Sequence, residues 1–104
     1  MSIARELSAF LTQVSYADIP PQALEHAAML ISSTVASAAC GSGIESSKIM
    51  RALAIERGGK PDASIWFDSG DKLPVASVAQ ANAVMSDAAA SDDSDLRNIV
   101  HTGT

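Results

Sequence analysis

The chain has a single cysteine, Cys40, so no disulfide can form within it. Set among alanines and serines, that thiol is expected to be buried and inert. Aromatics are also scarce: Phe10, Tyr16, Trp66 and Phe67 are the full set. Apolar residues make up 47% of the chain, but alanine supplies much of that share and large aliphatics are thinly spread. A buried Leu or Phe contributes about 1.5–3 kcal/mol, and Ala far less. The expected core is therefore weak for a chain of this size, a first sign that the fold is incomplete. Basic charge is short too, with seven Lys and Arg against twelve Asp and Glu and a net charge of −5. With no basic stripe and no aromatics among the cations, nucleic-acid binding is not expected. The N-terminus lacks a basic segment followed by an apolar one, and no apolar run approaches the ~18 residues of a membrane span. A cytoplasmic protein without membrane contact is expected. Gly58-Gly59 lacks the strand–GxGxxG–helix setting, which argues against a nucleotide loop.

What is present is helical periodicity. Ile3, Leu7, Phe10, Leu11 and Val14 recur at helix spacing behind Ser2 as N-cap, predicting a first helix that ends near Ser15. Asp18-Ile19-Pro20-Pro21 breaks the chain and opens a second helix, from about Pro21 to Cys40, with Gly41 as its C′ residue. Its bulk lies at Leu24, Met29, Leu30 and Ile31. Ser32 to Ala39 is small on every face, which predicts packing on several sides. Ser46 or Ser47 is expected to cap a third helix through about Arg57, with Ile49, Met50, Leu53 and Ala54 facing inward and Gly58-Gly59 as the stop. A short extended piece is expected near 63–67, where Ser64-Ile65-Trp66-Phe67 is strand-like. Pro74 opens a fourth helix to about Ala89 or Ala90, with Val75, Val78, Asn82 and Met85 on one face. The fold class is mainly α.

Chemistry concentrates between Ser86 and His101, which holds Asp87, Asp92, Asp93, Asp95, Arg97 and His101. Three readings compete. Asp92-Asp93-Ser94-Asp95 can cap a following helical turn, leaving His101 an ordinary surface residue. Oxygen ligands at Asp92, Asp93 and Asp95 suit Mg²⁺ or Ca²⁺, but the D-x-[DN]-x-[DN]-G order is absent and Arg97 adds a cation, so no metal is expected. The third reading is acid–base chemistry on an anionic substrate. His101 titrates near neutrality, Arg97 can clamp a carboxylate through two parallel hydrogen bonds, and an Asp of the same loop can orient the histidine.

The order of these motifs resembles the start of the MmgE/PrpD family, which includes 2-methylcitrate dehydratase, cis-aconitate decarboxylase and iminodisuccinate epimerase. The resemblance is carried by Leu7-Ser8-Ala9-Phe10, Ile19-Pro20-Pro21-Gln22-Ala23-Leu24, Gly58-Gly59 and Ala63-Ser64-Ile65-Trp66. It continues through Ala79-Gln80-Ala81-Asn82-Ala83 into Asp92-Asp93-Ser94 and His101-Thr102-Gly103. The family pattern there is approximately A-x-x-N-G, then H-A-x-D-F-D-D-T, then H-P-G. This chain departs from it at Ala83 for glycine, Asp87 for histidine, Ala90 for the first Asp, Ser94 for Thr and Thr102 for Pro.

The resemblance implies a cofactor-independent lyase or isomerase that moves a proton beside a carboxylate of a small di- or tricarboxylate. His101, Asp93 and Asp92 would be its catalytic residues, with Arg97, Ser94 and Thr102 binding substrate. Ala90 argues against carrying over the dehydratase or decarboxylase reaction and shifts weight toward epimerisation. Family members are several hundred residues long, with a large helical domain and a mixed lid domain. Residues 1–104 would then be the N-terminal portion of the helical domain, inactive alone, completed by the remainder of the enzyme or a second chain in a homo-oligomer such as a homodimer. The rival expectation is a small helical subunit that packs on a partner and catalyses nothing.

Overall fold

Two prolines and a pair of glycines punctuate the chain, and the helices fall between them. The structure, a computed structural model, describes residues 2–90, 94–98 and 100–101. Its helices are α1 (Ile3–Gln13), α2 (Pro21–Gly41), α3 (Glu45–Arg57) and α4 (Val75–Ala88), with a 3₁₀ turn at Tyr16–Asp18. Pro21 occupies the first turn of α2, where a missing N–H costs nothing, and Pro74 precedes α4 as its N-cap. Gly58 ends α3 at φ 59° and Gly59 follows at φ 118°, a region that L side chains avoid. The Gly58 N–H donates to the carbonyls of Ala54 and Ile55, as the helix-stop reading requires.

The hub is α4, against which both α2 and α3 pack. Val78, Ala81 and Met85 of α4 join Ala38, Ala54, Ile65 and Leu73 in the core. Three of these seven side chains are alanines, so the core is as slight as the composition suggests.

Several expectations need correction. Gly41 is not a C′ residue but the last residue of α2, buried against α4. A Cβ there would run into the carbonyl oxygen of Met85, so close helix approach, rather than a left-handed turn, explains the glycine. Cys40 beside it is exposed rather than buried. This chain by itself covers only one side of α2, so packing on several sides would need further sequence or a partner chain. The helix buries Thr34, Ser37, Ala38 and Gly41, while Met29, Ile31 and Val35 remain exposed.

Ile44, not Ser46 or Ser47, is the N-cap of α3, and Ser47 is buried inside the helix. The inner face of α3 is Ser47 and Ala54 with half-buried Met50 and Leu53, whereas Ile49 points outward. Val75 is likewise exposed at the start of α4. In the 63–67 piece only Ala63 pairs, antiparallel to Leu73, because no second strand lies beside it. Trp66 and Phe67 form a turn, with Phe67 at φ 59°, and the Trp66 N–H donates to Asn82 Oδ1 on α4. Among the described residues there is no named strand.

Helix α1 has the expected period but nothing to bury it. Ile3, Leu7, Phe10 and Leu11 are all exposed, and the helix contains no buried residue. By length and composition alone α2 could cross a bilayer, contrary to the reading that no apolar run approaches that length. Alanine raises its mean hydropathy without supplying bulk, and its C-terminal half is in contact with α4.

Candidate functional site

The candidate site begins where α4 ends. Ala88 is its last residue, and Ala89 leaves helical geometry at φ −86°, ψ 0°. Ala90 then adopts φ 50°, uncommon for a residue with a Cβ, while its N–H donates to the Asp87 carbonyl at 2.8 Å. The chain is thereby turned sharply off the helix axis, with Asp87 in the final turn.

Beyond this bend, Asp95 and Val100 form an antiparallel bridge, with the Asp95 N–H donating to the Val100 carbonyl at 2.8 Å. The tight segment between them is organised by the Asp95 carboxylate. Its Oδ2 accepts from Asn98 Nδ2 at 2.8 Å and its Oδ1 from the Arg97 backbone N–H at 2.9 Å. These two bonds, the Asn98 side chain first, hold the Asp95 carboxyl below the ordinary carboxylate range. Both oxygens of Asp95 are therefore engaged in shaping a turn.

That turn brings His101 back toward α4. Its Nδ1 lies 3.3 Å from Ser94 Oγ, and its Nε2 lies 3.8 Å from Asp87 Oδ1. Both side chains are open to solvent, with exposures of 46% for His101 and 60% for Asp87. Chain folding thus collects a carboxylate from the end of α4, a hydroxyl from the start of the turn and an imidazole from its end.

Of the expected site residues, Ser94 and His101 come together. Arg97 sits at the exposed tip of the turn, and among the described residues its guanidinium has no ion-pair partner. Asp92, Asp93 and Thr102 lie outside the described residues. The residue that sequence reasoning missed is Asp87, read as a break in a pattern. A signal was available: a carboxylate in the last turn of a helix meets the negative end of the dipole and gains from a nearby cation. His101 was a nearby candidate in sequence.

Two cavities lie elsewhere on the surface, and neither is lined by Asp87, Ser94 or His101. One, of about 340 Å³, is an apolar cleft between α2, the 63–66 segment and α4, lined by residues including Thr34, Trp66, Val78 and Asn82. Its polar groups are engaged locally, since Thr34 donates to the Leu30 carbonyl and Asn82 accepts from Trp66. The other, of about 500 Å³, lies along the start of α2 from Pro20 to Leu30.

Comparison with known proteins gives one match. The family profile described as the MmgE/PrpD N-terminal domain matches residues 5–104. No curated protein matches, and no solved structure matches.

Proposed function

Because this chain belongs to the MmgE/PrpD family, as its N-terminal domain, we propose that it forms part of a cofactor-independent lyase or isomerase. The reaction is proton transfer next to a carboxylate, on a small di- or tricarboxylate or an amino-acid derivative of one. His101 is the acid or base. Arg97 anchors a substrate carboxylate, and Ser94 offers a hydroxyl for hydrogen bonding to the substrate. Asp92, Asp93 and Thr102 complete this wall of the site by their place in the family pattern.

The observation that carries this reading is the His101 imidazole, solvent-accessible and 3.3 Å from the Ser94 hydroxyl. An imidazole that is accessible and near its neutral-pH transition can both take and return a proton. The Arg97 guanidinium four residues earlier, without an ion-pair partner among the described residues, suits a planar carboxylate. Ala90 lacks the acidic group of the dehydratase-like pattern, which favours proton removal and return at one carbon over elimination. The remaining groups of the site are proposed to come from the rest of such an enzyme or from a second chain, within a cytoplasmic homo-oligomer.

The test is turnover of small dicarboxylates, followed by loss of substrate and by exchange of the α-proton in deuterated water. The chain is assayed alone and together with polypeptide carrying the later part of the family's sequence. Activity is expected only in the second case, and His101→Ala should lower it by about 10²–10⁴-fold. A second reading, a non-catalytic helical subunit, draws on the exposed apolar stripe of α1. It predicts stable association with a partner and no turnover with or without His101.

A further inference from the structure

The loop between α3 and α4 is moored at its ends and held at its tip by one side chain. It leaves the core at Ala63 and re-enters it at Leu73, and these two residues exchange backbone hydrogen bonds of 3.0 and 2.8 Å. Ile65 is seated in the core, whereas the next two side chains, Trp66 and Phe67, are exposed. Among the described residues, one hydrogen bond ties the interior of this loop to a helix: the Trp66 N–H donates to Asn82 Oδ1 at 3.0 Å. The Arg51–Asp68 ion pair is looser, since its Nε–Oδ2 separation of 3.9 Å is longer than a hydrogen bond.

The tip is also strained. Phe67 stands at φ 59°, in the left-handed region that a residue with a Cβ enters only at a cost. Such a conformation persists where its surroundings hold it. Asn82 supplies that hold in a fixed sense. A backbone N–H must meet an oxygen, so the amide oxygen faces the turn and the amide nitrogen faces away from it. Asn82 and Trp66 both line the apolar cleft between α2, the 63–66 segment and α4. The bond that holds the turn therefore also fixes the indole as a wall of that cleft.

We infer that Asn82 is a latch on this loop: its side-chain oxygen holds the strained Trp66-Phe67 turn against α4, and release of that bond lets the tip relax outward and the cleft widen. The ends stay in place on release, because the Ala63–Leu73 bonds and the seat of Ile65 do not involve Asn82. Neither Ser94 nor His101 lines the cleft, so the device is independent of the proton-transfer reading.

The chain has one tryptophan, so its emission reports on the tip alone. Native-state amide exchange is read at Trp66 and compared with Ala63 and Leu73, whose amides mark the moored ends. Asn82→Leu keeps much of the side-chain volume and removes the oxygen. It should lower Trp66 protection by about 2–10-fold, leave Ala63 and Leu73 near their native values, and make the emission more readily quenched by acrylamide. Asn82→Asp keeps an oxygen at that place and should restore all three readings, which a role in packing alone would not predict. Phe67→Gly acts on the opposite side of the balance. It relieves the strain, removes only an exposed side chain, and should raise Trp66 protection both in the native background and in Asn82→Leu. Unchanged Trp66 protection in Asn82→Leu overturns the latch. An equal loss at Ala63 and Leu73 overturns it too, because Asn82 would then support the fold at large. If Asn82→Leu does not fold, the native chain and Phe67→Gly decide: equal or lower Trp66 protection in Phe67→Gly overturns the inference.

Discussion

Met85 lies where the packing converges, 1% exposed, with the end of α2 drawn against its backbone. Removing its side chain leaves a hole in a core that has little else to close it, so Met85→Ala should cost about 2–5 kcal/mol. Gly41→Ala is the sharper case, because two effects oppose each other. Alanine is the better helix former by about 1 kcal/mol. The added Cβ, however, meets the Met85 carbonyl and lies 3.3 Å from the Ala88 Cβ, and neither neighbour is a flexible side-chain end. Overpacking of that kind costs about 1–3 kcal/mol and requires α2 and α4 to separate. Net destabilisation is expected from urea titration of Gly41→Ala, with a gain in stability as the result that contradicts the close approach. Phe10→Ala, at a position 59% exposed, should shift the midpoint far less than Met85→Ala although the deleted group is larger.

At the scale of elements, what could be read from the sequence was what short stretches decide. Pro21, Pro74 and Gly58 act through their own backbone geometry, so the starts of α2 and α4 and the end of α3 were all legible. Gly41 and the Trp66-Phe67 turn were misread because each is decided by a neighbour distant in sequence. Gly41 answers to Met85 and Trp66 to Asn82, while Ser47 is buried within α3 rather than capping it. The site divides in the same way. His101 and Arg97 stood out in the sequence by residue type and Ser94 through the family resemblance, and the structure brings Ser94 and His101 together; Asp87 emerged beside them only in the folded chain. Asp95 builds the turn that makes this return possible, and its carboxyl is depressed below the ordinary 3.8 by Asn98 and Arg97. A group depressed on folding stabilises the turn above its unfolded value and loses that effect as pH falls through its folded one. The protection factor of the Arg97 amide, which compares its exchange rate with that of the unfolded chain at the same pH, should therefore decline as pH falls below about 4 in the native chain. In Asp95→Ala the same amide should be weakly protected at every pH. Strong Arg97 protection in that variant would show that the turn does not depend on the carboxylate.

For the whole molecule, shape and burial agree. A 104-residue globule is expected to have a radius of gyration of about 13 Å, whereas the value here is 16.4 Å, with extents of 44 × 29 × 25 Å. Helix α1 explains much of the excess, since it buries no residue and reaches α2 through the Tyr16–Asp18 turn. An 11-residue helix is marginal in water without tertiary support. Its apolar stripe is the pattern of a helix that belongs against something, and that pattern carried the secondary structure correctly while saying nothing about burial in this chain. Small-angle scattering of the monomer should then give a radius near or above 16 Å, with fraying of α1 moving it further upward. A radius near 13 Å would mean that α1 folds back onto α2–α4 and covers its own stripe. That outcome would remove the exposed surface on which the interaction-module reading depends.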